Sequence, residues 1–194
     1  METTLIKGMK EQIMTAAGLN QSLGVILPST NYPEVSQALF ELMRNSSTDT
    51  WVYVTVNKPY FQLKKQFGEM YAQTSVQFID CVSRAADIHM VDPTCIFLDS
   101  PSLLEQLLLE IINSVKEKQH PDGETYVIID LLSSLIAFND ALLVREFFSH
   151  LINNMSQQKA HTISLSIEEE IDEKLHKILY LRNDKIIKVK ESFI

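Results

Sequence analysis

Tyr126-Val-Ile-Ile-Asp130 is the stretch that leaves this chain least choice of architecture. Val127, Ile128 and Ile129 follow one another with no polar residue between them, so a strand here is apolar on both faces. Such a strand belongs in the middle of a sheet covered by helices on both sides. His120-Pro-Asp-Gly123 is a turn signal before it. Asp130 stands at its carboxyl end, where ligands sit in sheets of this kind.

The remaining segments alternate around that strand. Residues 3 to 17 place Leu5, Met9, Ile13 and Ala16 or Ala17 on one helical face, with Gly18 as a stop. Leu23 to Leu27 is a short buried strand, and Pro28 to Tyr32 a turn-rich loop. Pro33 suits the first turn of a helix carrying Val35, Leu39, Leu42 and Met43, because its missing N–H has no partner to lose there. Strands follow at Trp51 to Val56, Val76 to Cys81 and Thr94 to Leu98. A short helix over Pro59 to Met70 separates the first two, and Arg84 to Asp92 is an irregular excursion. Ser100-Pro101 opens a helix whose leucines, from Leu103 to Leu108 and on to Val115, form a wide apolar face. Asp140 opens another, with Val144, Phe147, Phe148, Leu151 and Met155 in helical period. After a strand at His161 to Leu165, Ser166 and Glu169 have the spacing of a capping box for a helix reaching Tyr180. Lys185 to Val189 alternates as an edge strand. Strands alternating with helices make a mainly parallel sheet with helices on both faces, in one domain over 1–194 with an N-terminal helix over 1–18.

The formal net charge is −8 and no basic run exceeds two residues, so a nucleic-acid partner is disfavoured. The apolar run from Tyr126 to Phe138 carries Asp130 and two serines and is too short to span a bilayer. Nothing at the N-terminus has the layout of a signal peptide. Cys81 and Cys95 make neither metal spacing nor a disulfide framework; both read as small buried thiols in a reduced cytoplasm.

Six segments occur in an order that resembles a known family: Val25-Ile-Leu-Pro-Ser-Thr-Asn-Tyr-Pro33, Val52-Tyr-Val-Thr-Val-Asn-Lys-Pro59, Phe78-Ile-Asp-Cys-Val-Ser83, Phe97-Leu-Asp-Ser-Pro-Ser-Leu103, Ile129-Asp-Leu-Leu-Ser-Ser134 and Ile163-Ser-Leu-Ser-Ile-Glu168. Over roughly residues 20 to 190 the chain is similar to the archaeal KaiC-like proteins of the RecA-type P-loop ATPase superfamily, in a branch without the P-loop. The resemblance implies a three-layer RecA-like fold, an archaeal and cytoplasmic origin, and self-association through surfaces beside the nucleotide site. It supplies no activity.

A working P-loop reads G-x-x-x-x-G-K-[ST]; glycines let backbone N–H groups wrap the phosphates and the lysine neutralises them. The same register here is Leu27-Pro-Ser-Thr-Asn-Tyr-Pro-Glu34. Leu27 and Tyr32 replace the glycines, Pro33 the lysine and Glu34 the hydroxyl. The carboxylate that the superfamily carries after its second strand is matched by Asn57 and Lys58. Asp130 survives, with two readings: a turn cap assisted by Ser133 and Ser134, or a residual nucleotide or metal contact. Ser29, Thr30 and Asn31 could offer hydroxyl and amide groups to the same ligand, and turn formation explains them equally. The acids Glu168, Glu169, Glu170, Asp172 and Glu173 read as a solvated, dipole-matched helix start. No catalytic residue or metal site is assigned, and ATP with magnesium is disfavoured. The leading expectation is a non-catalytic module that binds a protein partner in regulation or signalling, with a homodimer or higher oligomer in view. The alternatives are a nucleotide or small-ligand sensor at Asp130 and the Ser29 to Asn31 loop, or an ATPase borrowing a lysine such as Lys58.

Overall fold

A computed structural model of the chain describes residues 4–46, 48–68, 75–118 and 122–190, with the side chains of residues 4–7 and Phe67 left aside. Seven strands form one sheet: β1 (Ser22–Leu27), β2 (Thr50–Thr55), β3 (Ser75–Asp80), β4 (Cys95–Phe97), β5 (Thr125–Asp130), β6 (His161–Ile167) and β7 (Lys185–Lys188). Their order is β4-β3-β2-β5-β6-β1-β7, and every pairing between them is parallel. Among the described residues six α-helices accompany them: α1 (Thr4–Leu19), α2 (Tyr32–Asn45), α3 (Tyr60–Phe67), α4 (Leu104–Lys118), α5 (Ala141–Gln157) and α6 (Glu173–Arg182). The expected three-layer α/β architecture is present.

Strand parity divides the core. Leu23, Val25, Leu27, Trp51, Tyr53, Phe78, Ile128, Ile163 and Leu165 point to one face and pack with α1, α2 and α3. Ile26, Val52, Val54, Ile79, Val127 and Ile129 point to the other and pack with α4, α5 and α6. Residues of one strand alternate between two dry cores, so β5 needs apolar side chains on both sides. β5 lies fourth of the seven, as its sequence demands. At the amino end of the sheet, Trp51, Tyr126 and His161 stack across β2, β5 and β6 with centroid separations of 4.4 and 4.9 Å. Side chains stacked in register resist a slip along the ladder.

The N-terminal helix, whose sequence allows either a place over the sheet or a pairing with another copy, lies against α2. Met9, Ile13 and Ala17 are buried there, and Lys10 meets Glu41 at 3.7 Å. Gly18 does not stop it; the helix runs to Leu19. Gly24 has a different use: a Cβ there would fall 2.5 Å from Ile186 Cδ1, so its lack of side chain lets β7 come alongside β1. On α4 the buried face is Leu104, Leu107, Ile111 and Val115, whereas Leu103 precedes the helix and Leu109 is exposed. The expected extension of α3 to Met70 and the His120-Pro121 half of the expected turn lie outside the described residues.

The start of α6 is a correction. Ser166 is buried inside β6, which continues to Ile167 because that residue still pairs with Leu27. Glu168–Glu170 forms a 3-10 turn, and the cap of α6 is Asp172, whose Oδ1 accepts from Leu175 N at 2.6 Å. Replacing Asp172 with Ala should therefore cost about 1 kcal/mol, typical of a lost N-cap. Ser166→Ala, which removes a buried hydroxyl without a partner, should cost nothing or stabilise. Chemical denaturation of both variants checks the assignment; the reverse ranking would restore the capping box. Among the described residues, no helix is long and apolar enough to cross a membrane.

Candidate functional site

β1 delivers the chain to the carboxyl edge of the sheet at Leu27, and α2 begins five residues later. Pro28 is extended and Ser29–Asn31 forms one 3-10 turn, closed by Asn31 N on Pro28 O at 3.0 Å. Pro33 occupies the first turn of α2, as its fixed φ favours. The Ser29 N–H is engaged by the carboxylate of Glu169, at 3.2 and 3.1 Å, and Ser29 Oγ donates to Glu169 Oε1 at 3.0 Å. The backbone N–H of Glu169 itself, followed by these Ser29 donors, holds the Glu169 carboxyl below its ordinary pKa. An internal anion thus lies on the β1–α2 turn. Thr30 is exposed and its hydroxyl reaches Asn31 Oδ1 at 3.4 Å, while Asn31 is buried.

Asp130 ends β5 with no exposed surface. It shares its side of the sheet with Ile128, so it points toward α2 and not toward α5. Oδ2 accepts from Tyr32 Oη at 2.8 Å and from Tyr53 Oη in a shorter bond, while Oδ1 is buried with no hydrogen-bond partner. The peptide bond between Asp130 and Leu131 is cis. Burial pushes the Asp130 carboxyl up to about 6, opposed by the two tyrosine hydroxyls and by the charge of Lys58. Burial and the adjacent Asp130 charge push both tyrosines well above the ordinary phenol range. Tyr32 Oη also lies 3.4 Å from Asn57 Oδ1, and Lys58 Nζ sits 4.4 Å from the centre of the Tyr32 ring.

The tyrosines explain why Asp130 is no turn cap. Ser133 and Ser134 do not assist it; both donate to Glu170 Oε2, at 2.7 and 3.2 Å. The aspartate that does organise a turn is Asp80. Its Oδ1 accepts the Val82 and Ser83 N–H groups, both at 2.8 Å, and its Oδ2 accepts Tyr60 N at 2.6 Å and Ser83 Oγ at 2.5 Å. Cys81 and Cys95 are free and buried, and burial pushes both thiols up, away from reactivity. Of the residues singled out in the sequence, Asp130 is sealed by Tyr32 and Ser29 is tied to Glu169. Tyr53 carried no local signal and Glu169 only that of a capping box, since the partners they take, Asp130 and Ser29, are remote in the chain.

No protein-family model matches the chain, and no curated protein matches its sequence. Solved structures do match its backbone. The uncharacterized protein PH0321 of Pyrococcus horikoshii, crystallised in complex with an unknown peptide, superposes with a TM-score of 0.71 over 94% of this chain and 83% of that one, at 13% identity. The KaiC-like protein PH0186 of the same archaeon gives 0.61 over 90% and 74%, at 12% identity. The fold is RecA-like. Flagellar accessory protein FlaH of Methanocaldococcus jannaschii also gives 0.61, over 92% of this chain and 76% of that one, at 18% identity. Identities this low carry the RecA-like backbone and no chemistry.

Proposed function

We propose that this chain is a non-catalytic RecA-like domain that acts in the cytoplasm by binding a protein partner, in a regulatory or signalling role. The observation that carries the reading is that both groups a nucleotide would need are engaged from within. The Ser29 N–H, which opens the β1–α2 turn, holds the Glu169 carboxylate. Asp130, the carboxylate available for a metal, is closed off by Tyr32 and Tyr53. Pro33 and Glu34 at the next positions add no cation. So arranged, residues 27–34 and Asp130 do not fit a magnesium–triphosphate, whose transfer chemistry depends on positioned donors and positive charge. The peptide in the PH0321 crystal supports a protein-binding use of this fold.

Calorimetric titration with Mg-ATP and with Mg-ADP, alongside molar mass by light scattering, tests the reading. The expected result is no binding tighter than roughly 100 µM, about −5.5 kcal/mol. Tighter binding, or ATP hydrolysis above background, would overturn it. One observation favours a sensor instead: Asp130 Oδ1 is buried without a partner, and a ligand that displaced the Tyr32 side chain would find it. On that reading a small ligand binds the wild type and not Asp130→Ala.

A further inference from the structure

The sheet changes direction between β2 and β5. From β2 the chain leaves toward β3 through α3 on one face, and from β5 it leaves toward β6 through α5 on the other. Loops that part in this way open a crevice outside the carboxyl ends of the strands, the usual ligand seat in such sheets. Here it is a depression of about 530 Å³, walled by Val56, Val82, Ile136 and Phe138 and edged by Asn57 and Glu170. Val56 belongs with the α4–α6 core, so the crevice lies across the sheet from the buried Asp130 carboxyl.

Its chemistry is the reverse of a phosphate site. None of its lining residues is a cation, and the one ionisable group among them is Glu170. Ser133 and Ser134 both donate to Oε2 of that carboxylate, and Ser133 Oγ itself accepts the Ile167 N–H at 3.0 Å. The carboxylate is therefore held in place before any ligand arrives, with Oε1 turned to no hydrogen-bonded protein group among the described residues. Phe138 stands beside it with 48% of its surface exposed. Glu168 and Glu169 continue the acidic edge along the same turn, and the whole chain carries a net charge of −8. Such a field draws basic partners and repels phosphate.

Building on the protein-binding reading above, we propose that this crevice receives a protein segment presenting a lysine or arginine beside an apolar side chain. The cation pairs with Glu170, and the apolar group covers Ile136 and Phe138. A fixed acceptor next to an exposed aromatic supplies both parts of a small anchor site, one for charge and one for burial.

The test is selection from a phage-displayed library of random dodecapeptides on the full chain, in wild-type, Glu170→Lys and Phe138→Ser forms. Thermal unfolding confirms that each variant is folded; both positions are partly or wholly exposed. The wild type should enrich Lys or Arg next to Leu, Ile or Phe, and Glu170→Lys should enrich Asp or Glu in its place. A synthetic peptide of the wild-type consensus should bind Glu170→Gln and Phe138→Ser at least about tenfold more weakly, as expected for loss of a charged hydrogen bond or of a buried ring. An enriched peptide without a basic residue, an affinity unchanged in both variants, or no enrichment at all would overturn the proposal. Peptides indifferent to both variants would move the partner site elsewhere and leave the protein-binding reading standing. Tight Mg-ATP binding in the calorimeter would remove that reading and leave the crevice to be judged by its own selection.

Discussion

Asp130→Asn should remove a pH dependence from the stability of the protein. An unfolded aspartate titrates near 3.9, while burial raises the folded Asp130 carboxyl to about 6 against the opposing pull of Tyr53, Tyr32 and Lys58. Between those values the folded chain keeps a proton that the unfolded chain has released. Stability from this group is therefore greatest below about pH 4, falls as pH rises, and reaches its full penalty above about pH 6. A displacement of two units corresponds to about 3 kcal/mol. Asparagine keeps an acceptor for the tyrosines and cannot ionise, although it leaves a buried amide N–H₂ in place of the unpaired Oδ1, an offset of about 1–3 kcal/mol that does not vary with pH. Urea unfolding of both proteins from pH 4 to pH 7 should show their stabilities diverging by about 3 kcal/mol in favour of the variant as pH rises. A constant gap across that range would mean that Asp130 is ionised in the folded state throughout.

Tyr53→Phe should be the most damaging single-atom change at the site. Tyr53 is fully buried, with ring centroids 5.8 Å from Phe40 and 5.5 Å from Phe78, so phenylalanine fills the same slot and leaves no cavity. The loss is the hydroxyl, one of two donors to a buried carboxylate. Hydrogen bonds to charged groups contribute about 1.5–3 kcal/mol, so a cost of about 2–3 kcal/mol is expected at pH 7. With one donor gone, the Asp130 titration should move further up. At pH 4, where Asp130 is neutral in the folded chain, the cost should fall to about 1 kcal/mol. In an Asp130→Asn background the pH 7 cost should shrink in the same way. Equal costs at both pH values and in both backgrounds would show that the hydroxyl does not act through the carboxylate charge.

These effects rest on contacts that the sequence did not display, while the scaffold beneath them was legible. Strand after strand announced itself by β-branched and aromatic runs, and the absence of polar alternation in Val127-Ile-Ile129 was enough to place β5 inside the sheet. Pro33 and Asp140 marked two helix starts by local chemistry: a fixed φ, and a side chain that accepts Leu142 N at 2.7 Å. Local rules failed where a distant partner outweighed them. Ser166 and Glu169 have capping-box spacing, yet Ser166 stays in the ladder because β1 lies beside it, and Glu169 turns away to Ser29. Tyr32 occupied a glycine position of the P-loop register and so read as an obstruction. Its hydroxyl reaching Asp130 depends on α2 lying over β5, and Tyr53 joins them because β2, rather than β6 alone, borders that strand. Strand order is a property of the whole chain, and no residue-level pattern in β2 encodes which strand will be its neighbour.

That order has a consequence for how the molecule is made. β1 is synthesised before every other strand of the sheet, yet its two neighbours are β6, where Ser22 faces Thr162, and β7, where Leu23 faces Lys185. All six of its residues are buried in the finished protein. β2, β3, β4 and β5 can find one another earlier, since each of their pairings is complete by Asp130. A growing chain therefore carries an apolar, unpaired strand until β6 has emerged, and contacts of such long sequence separation form slowly. The first strand of this sheet is clasped by its last two. Folding of β1 thus waits on how quickly β6 and β7 follow it, and a chain stopped short of Thr162 would leave β1 with no strand to join.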